Sequence, residues 1–224
     1  LALPGKNLRP LHGKPLIGYS IEVARASRRL TAVVTSTDSA EIAEVAQAAG
    51  SEVVMRPAQL AGDETPMLPV IQHAVTVLER EWGEEIARIV LLQPTSPLRT
   101  AEDIDAAVEL LSPEVDAVAS VYAVPKKYHP QRLMRLTNGL IRPYLEGARA
   151  GVPRQQLPEI HKLNGAVYVM WRATAMEKRS VLGERTAAYL MPPERSVDID
   201  DELDFLLAES LLRAPERAGH ARVG

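Results

Sequence analysis

Arg88-Ile89-Val90-Leu91-Leu92-Gln93-Pro94-Thr95-Ser96-Pro97-Leu98-Arg99-Thr100 reads in three steps. Residues 88–92 are a short apolar run, the pattern of a buried strand. Residues 93–99 are a polar loop stiffened by two prolines, which suits a preorganised site or a rigid turn. Thr100 caps a helix that runs to residue 111, with Glu102 and Asp103 in its first turn. A strand that passes through a short loop into a helix is the unit of an open α/β sheet. The unit recurs along the chain. Residues 15–27 have helical spacing, 31–37 are a β-branched strand, and 39–49 are an amphipathic helix capped by Ser39 and closed by Gly50. Residues 52–55 read as a strand, 66–82 as a long helix and 116–124 as a strand. Repeats of this length imply right-handed crossovers. The expected fold is α/β, with a doubly wound, mostly parallel sheet covered on both faces. Such sheets bind ligands at the carboxyl ends of their strands.

Composition narrows the classes of function. The chain of 224 residues is 46% apolar but only 4% aromatic, so its core is built from Ala, Val, Leu and Ile. The length fits one domain over 1–224. A net charge of −3 gives no basic field for nucleic acid or an anionic membrane. The absence of cysteine removes disulfides, thiolate metal sites and thiol nucleophiles. No apolar run reaches the roughly 18 residues of a membrane span, and no signal peptide is seen. The expectation is a soluble, cytoplasmic protein. From 126 to 163 the pattern changes to short alternating pieces around Asn138-Gly139, a hairpin signal. This excursion reads either as a surface hairpin or as an oligomerisation arm. Beyond it, 166–171 and 187–191 read as strands, and the tail after Pro215 is expected to fray.

Val197-Asp198-Ile199-Asp200-Asp201-Glu202-Leu203-Asp204-Phe205 sets acids at i and i+2 between apolar residues. Read as a strand end, the alternation turns Asp198 and Asp200 to one face. Two carboxylates there suit a hard cation such as Mg2+ held with a phosphate. The alternative is an acidic helix N-terminus whose carboxylates cap free N–H groups. The loop from Pro4 to Leu16 brings glycines and lysines before a helix, which suits phosphate, unless it is an ordinary solvated loop. Asp38, at the end of its strand, either meets a nucleotide or caps the next helix. Gln93 ends its strand aimed into the crevice. Asn164-Gly165-Ala166-Val167-Tyr168 pairs a glycine that permits close backbone approach with a tyrosine; Tyr168 is either a ligand contact or a buried hydroxyl with its own partner. The five histidines are scattered and form no metal-spaced cluster. With no strong protein base in view, phosphoryl or nucleotidyl transfer is favoured, because it runs on positioning and charge neutralisation.

Seven pieces, in order, resemble the CMP–sialic acid synthetases, the acylneuraminate cytidylyltransferases. They are Pro4-Gly5-Lys6-Asn7, Ser36-Thr37-Asp38, Arg56-Pro57-Ala58, the run from Leu92 to Arg99, Arg154-Gln155-Gln156-Leu157-Pro158, Asn164-Gly165-Ala166-Val167-Tyr168 and Val197-Asp198-Ile199-Asp200. They span almost the whole chain. The resemblance implies a Rossmann-like nucleotidyltransferase whose excursion swaps across a homodimer. It implies transfer of CMP from CTP to the anomeric hydroxyl of an acidic 2-keto-3-deoxy sugar, with release of pyrophosphate. It also implies Mg2+ on Asp198 and Asp200, Lys6 on the triphosphate, Asn7 on the nucleotide, and Asp38 and Arg56 near the nucleoside. Gln93 and Tyr168 would face the sugar acid. Arg154 would reach sugar or phosphate of the partner subunit, with Arg132 a second candidate for that part.

Three points separate this chain from the family pattern or its branches. The family's opening strand and its Pro-Ala-Arg-Gly-Gly-Ser-Lys-like loop are not seen before Pro4; the expectation is that Leu1-Ala2-Leu3 ends that strand and that the loop belongs between Leu3 and Pro4. Met67 ends a loop from Asp63 in which sialic acid enzymes often carry Ser. Pro-Gly-Lys-Asn counts against the enzymes for 3-deoxy-manno-octulosonate, which usually show Pro-Gly-Lys-Pro. Pseudaminate and legionaminate stay open as acceptors, and a non-catalytic nucleotide-binding homologue is the rival from another class.

Overall fold

The computed structural model describes residues 3–62, 65–148 and 151–213. Leu1, Ala2, Asp63 and the tail after Pro215 lie outside them, and with them part of what is expected of the N-terminal strand, the loop before Met67 and the fraying end.

A small antiparallel ribbon, β1 (Pro10–Leu11) with β2 (Lys14–Pro15), leads into α1 (Leu16–Ala26). The unit β3 (Val34–Thr37), α2 (Ala40–Ala48) and β4 (Glu52–Met55) follows, its strands parallel. Next come α3 (Met67–Trp82), β5 (Arg88–Leu91), α4 (Ala101–Glu109) and β6 (Ala117–Ala123). The excursion carries the hairpin β7 (Met134–Thr137) and β8 (Leu140–Pro143). The chain returns as β9 (His161–Trp171), then α5 (Arg172–Met176), β10 (Thr186–Leu190) and α6 (Glu202–Arg213).

The larger sheet has the order β10-β6-β9-β5. β10 runs parallel to β6, and β9 runs antiparallel to both β6 and β5. So β5, β6 and β10 share one direction and β9 alone is reversed: the sheet is mixed where a mostly parallel one was expected. The excursion explains it. The chain leaves β6 at its carboxyl end and re-enters at the same end, where Val124 N–H donates to the Ile160 carbonyl at 2.9 Å. A strand entering there must run backwards, because a parallel neighbour needs a crossover to the far end. Among the described residues no ladder joins β3 and β4 to this sheet. That pair docks through α1 and α2, around Ile17, Ile21 and Ala46.

Helices cover both faces. Ile104, Ala107 and Val108 of α4 pack on Val118, Val167 and Val169. On the other face Ile71 and Val75 of α3 and Ala175 of α5 meet Ala117 and Met170. The alternation along β6 and β9 thus supplies two apolar layers from one sheet. Local signals explain the element ends. Thr100 and Asp103 form a reciprocal capping box, and Ser39 accepts the Ile42 N–H. Asn138 and Gly139 take φ of 51° and 77°, the two positive values that a type I′ hairpin turn requires.

Two strand assignments change. Residues 197–200 form no strand; Pro192 and Pro193 follow the end of β10 and remove ladder donors, and one backbone bond, Ile199 N–H to the Thr95 carbonyl at 2.8 Å, holds the segment. The strand expected over 166–171 begins at His161, its first half hidden from the pattern by an irregularity at Gly165.

Candidate active site

The carboxyl ends of β5, β6 and β10 and the entry of β9 lie at one end of the larger sheet, and the acid segment is built there. Its neighbours show which of the acids cap the helix. Asp201 Oδ1 accepts the N–H groups of Leu203 (2.9 Å) and Asp204 (3.1 Å), and Asp204 Oδ2 accepts those of Asp200 (3.0 Å) and Asp201 (3.1 Å). Asp201 and Asp204 therefore cap α6, and the carboxylates of Asp198 and Asp200 are left for other work. Lys6 Nζ donates to the Ile199 carbonyl at 2.8 Å and stands 3.4 Å from Asp200 Oδ1, on a side chain that is 77% exposed. Arg9 grips Glu202 with two bonds of 2.6 Å and lies 4.1 Å over the Phe205 ring. The Pro4–Arg9 loop is thus lashed to the acid segment at two points.

Asp198 is half-buried. Burial raises its pKa first, a hydrogen bond from the Thr95 side chain lowers it, the charge of Asp200 raises it, and Lys6 and Lys162 lower it. Tyr168 is shifted up by burial and then by the charge of Asp198. Asp198, Asp200, Lys6, Lys162, Thr95 and Tyr168 therefore share one electrostatic neighbourhood. Gln93 enters from the next loop. Gly165, with φ of 73°, lies so close that a Cβ there would overlap the Gln93 side-chain oxygen. Below Gln93 is Arg99, 2% exposed, which donates to the Gln93 carbonyl and, at 3.1 Å, to Ser20 Oγ. Its Nε and Nη1 find no partner, and burial pushes its pKa down to about 9, opposed by the charge of Asp103.

Asp38 does not cap α2; Ser39 does, and Asp38 instead accepts from Arg56 Nη2 at 2.7 Å. The Ser36 hydroxyl and Arg56 Nε beside this pair are buried without partners. Asn7 sits in the same short turn as Lys6, with no side-chain hydrogen bond among the described residues. Arg154 opens a 3-10 turn on the excursion, exposed and without an ion-pair partner among the described residues. Arg132 Nη2 donates to the Val152 carbonyl at 3.3 Å, a contact internal to the excursion. Lys162 and Thr95 were not singled out by sequence; the signal for Lys162 was its place two residues before Asn164.

The acid pair fits a divalent cation of the magnesium type. Among the described residues no group of three or more His, Asp or Glu is placed to form an all-protein metal cage. Two carboxylates, one raised by burial and by its neighbour's charge, are the set Mg2+ takes when water and phosphate complete its shell.

The fold is an α/β nucleotidyltransferase fold, with the candidate site at one end of its sheet. The family model described as Cytidylyltransferase matches residues 2–162. The chain is 30% identical over 216 residues to the N-acylneuraminate cytidylyltransferase of Escherichia coli O18:K1:H7, covering 96% of this chain and 50% of that protein. It is 34% identical over 220 residues to the CMP-N,N'-diacetyllegionaminic acid synthase of Legionella pneumophila, covering 96% and 93%. A solved CMP:2-keto-3-deoxy-manno-octonic acid synthetase complexed with CTP superposes with a TM-score of 0.66 at 16% identity, over 94% of this chain and 92% of that one, a likeness of fold. The chain belongs to the cytidylyltransferase family, and it spans half the length of the E. coli relative.

Proposed function

We propose that this chain transfers CMP from CTP to the anomeric hydroxyl of an acidic 2-keto-3-deoxy sugar, an N-acylneuraminate or a related nonulosonate. The sugar oxygen bonds to the α-phosphorus, the bond from that phosphorus to the β-phosphate bridge breaks, pyrophosphate leaves and the hydroxyl proton passes to solvent. The observation that carries this reading is the meeting of Lys6, Asp198, Asp200 and Tyr168 opposite Gln93 at the carboxyl end of the sheet. Lys6 exchanges its contact with Asp200 for the triphosphate. Asn7 contacts the nucleotide, and Asp38 and Arg56, held as a pair, line the nucleoside side. Gln93 and Tyr168 orient the acceptor. Asp198 and Asp200 hold Mg2+, which when bound neutralises charge on phosphate and lowers the pKa of the acceptor hydroxyl, so that no strong protein base is needed.

The functional unit is a homodimer. Leu136, Leu140 and Ile141 of the hairpin are 70%, 65% and 66% exposed, and a two-stranded hairpin is marginal in water without a surface to pack on. A second copy offers that surface symmetrically and brings Arg154, suited to a bidentate grip on carboxylate or phosphate, to the partner's site. Among the described residues no helix is long and apolar enough to cross a membrane, and the reading places the activity in the cytoplasm.

The deciding experiment is a pyrophosphate-release screen with CTP, Mg2+ and N-acetylneuraminate, legionaminate, pseudaminate or 3-deoxy-manno-octulosonate. Release with one nonulosonate supports the proposal and names the acceptor. CTP binding without release from any acid would replace it with a non-catalytic nucleotide-binding protein.

A further inference from the structure

The pairing of β9 with β6 is interrupted at one place. Tyr168 pairs with Ala119 and Leu163 with Val121, so Asn164, Gly165, Ala166 and Val167 stand opposite the single Ser120. Bulges of this kind re-aim side chains next to active sites. Here the extra length turns Asn164 inward, where it is 2% exposed. Its amide is saturated. Oδ1 accepts from Ser120 Oγ at 2.6 Å and from the Ala166 N–H at 3.2 Å. Nδ2 donates to Ser196 Oγ at 2.9 Å and to Met191 Sδ at 3.3 Å. The Asn164 backbone carbonyl accepts from Ser96 Oγ at 3.0 Å. The partners are fixed in turn: Ser196 donates to the Pro192 carbonyl at 2.9 Å, and Ser120 Oγ accepts the Val167 N–H at 2.8 Å.

These bonds lead to the site. Ser96 lies in the loop that carries Gln93, and Ser196 stands two residues before Asp198. A buried amide with every position bonded has one orientation, because any rotation strands a buried polar group. An apolar residue of the same volume would fill the space but leave the Ser120 hydroxyl without its acceptor and Ser196 Oγ without its donor.

We propose that Asn164 is the positioning residue that fixes the separation between the Gln93 loop and the Asp198 loop, the two walls between which acceptor and nucleotide meet. It touches neither substrate and acts through Ser96 and Ser196. The functional half of this statement rests on the transferase reading above.

Two conservative variants cut the same bond from opposite sides: Asn164→Asp keeps the shape and Oδ1 but loses the donor, and Ser196→Ala removes its acceptor. Each is expected to lower kcat about tenfold per folded molecule while KM for CTP moves less than about threefold, with the double variant no worse than Asn164→Asp alone. Amide hydrogen exchange is expected to quicken at Ile199, whose N–H bonds Thr95, and to stay unchanged in β10. Wild-type kinetics in both variants, losses that multiply in the double variant, or a uniform rise in exchange would overturn the proposal. If Asn164→Asp does not fold, Ser196→Ala decides by the same readings. The exchange measurement needs no turnover. If the unaltered protein releases no pyrophosphate, the transferase reading fails while the holding of the Asp198 loop is still decided.

Discussion

The two ends of the sheet are built on opposite principles. At the amino end, Asp116 stands just before β6 and accepts Lys178 Nζ at 2.7 Å and the N–H groups of Glu184 and Arg185 at 2.8 and 3.0 Å. Glu79 receives Arg172 through two bonds of 2.6 and 3.1 Å and the Ile86 N–H at 3.0 Å. Both carboxylates are answered there. At the carboxyl end, Asp200 is exposed with Lys6 at 3.4 Å, Asp198 is raised by burial, and Arg99 keeps polar atoms without partners; among the described residues Ser36, Arg56, His73 and His129 elsewhere do so too. Unsatisfied polar groups cost stability, and under the proposed function ligand completes those of the Gln93 and Asp198 loops. On that proposal the sheet separates a locking end from a working end.

The largest expected effect tests that separation directly. Asp200→Asn and Asp198→Asn keep size and remove charge. At least one should lose about 100-fold or more in kcat, given the leverage of metal-assisted transfer, with an unchanged or raised Tm. Asp116→Ala should do the reverse, lowering Tm while leaving kcat of the folded protein intact. Full turnover in both acid variants would remove the pair from the reaction. A drop in their Tm matching that of Asp116→Ala would erase the contrast between the ends.

The next effect asks whether the working end is complete in one copy of the chain. Arg154→Ala should cut kcat/KM by roughly 30-fold, as the loss of a bidentate charge contact would. Mixing Arg154→Ala with Asp200→Asn subunits should then restore part of the activity, because the heterodimer has one doubly defective site and one intact site. No recovery despite demonstrated exchange, or a monomer by light scattering, would confine the site to one chain.

Arg99 gives a smaller effect in the same frame. Replacing a buried, incompletely paired charge by an apolar side chain is often neutral or stabilising. Arg99→Met should therefore hold or raise Tm while lowering kcat/KM about tenfold, because the Gln93 carbonyl loses its anchor. A clear fall in Tm would show that Arg99 belongs to the locking machinery after all.

Legibility in the sequence followed the same division. Where a local rule acts through the next few residues, the reading was correct: the Thr100–Asp103 box, the Ser39 cap and the Asn138-Gly139 turn. Where the outcome depends on a distant partner, it was not. Asp38 was offered a cap by its position, but Arg56, eighteen residues on, takes it. The reversal of β9 follows from where the excursion returns, which no periodicity records. The segment 197–200 alternates like a strand but has no strand beside it. Asn164 was quoted within a motif, yet its role is invisible until Ser96, Ser120 and Ser196 are brought to it from three other parts of the chain.

The smallest effect lies at the locking end and appears only in acid. The Asp116 carboxyl is held well below the usual carboxylate range, first by the Lys178 hydrogen bond and then by the amides of Arg185 and Glu184. The folded protein therefore keeps this proton off at pH values where the unfolded chain has taken it up. Unfolding below about pH 4 binds one more proton than the native state holds, so the stabilisation is complete above that pH and fades as the pH falls toward the native value. Asp116→Asn removes both the charge and the dependence. The wild-type Tm should fall more steeply than that of the variant below about pH 4, while at pH 7 the variant should melt on the order of 5 °C lower. Gly183, packed so closely that a Cβ would overlap the Asp116 side chain, leaves the turn little room to adjust and keeps the comparison clean. Parallel Tm profiles for the two proteins, or a change in kcat of the folded variant at pH 7, would show that Asp116 is not the acid-sensitive lock of the amino end.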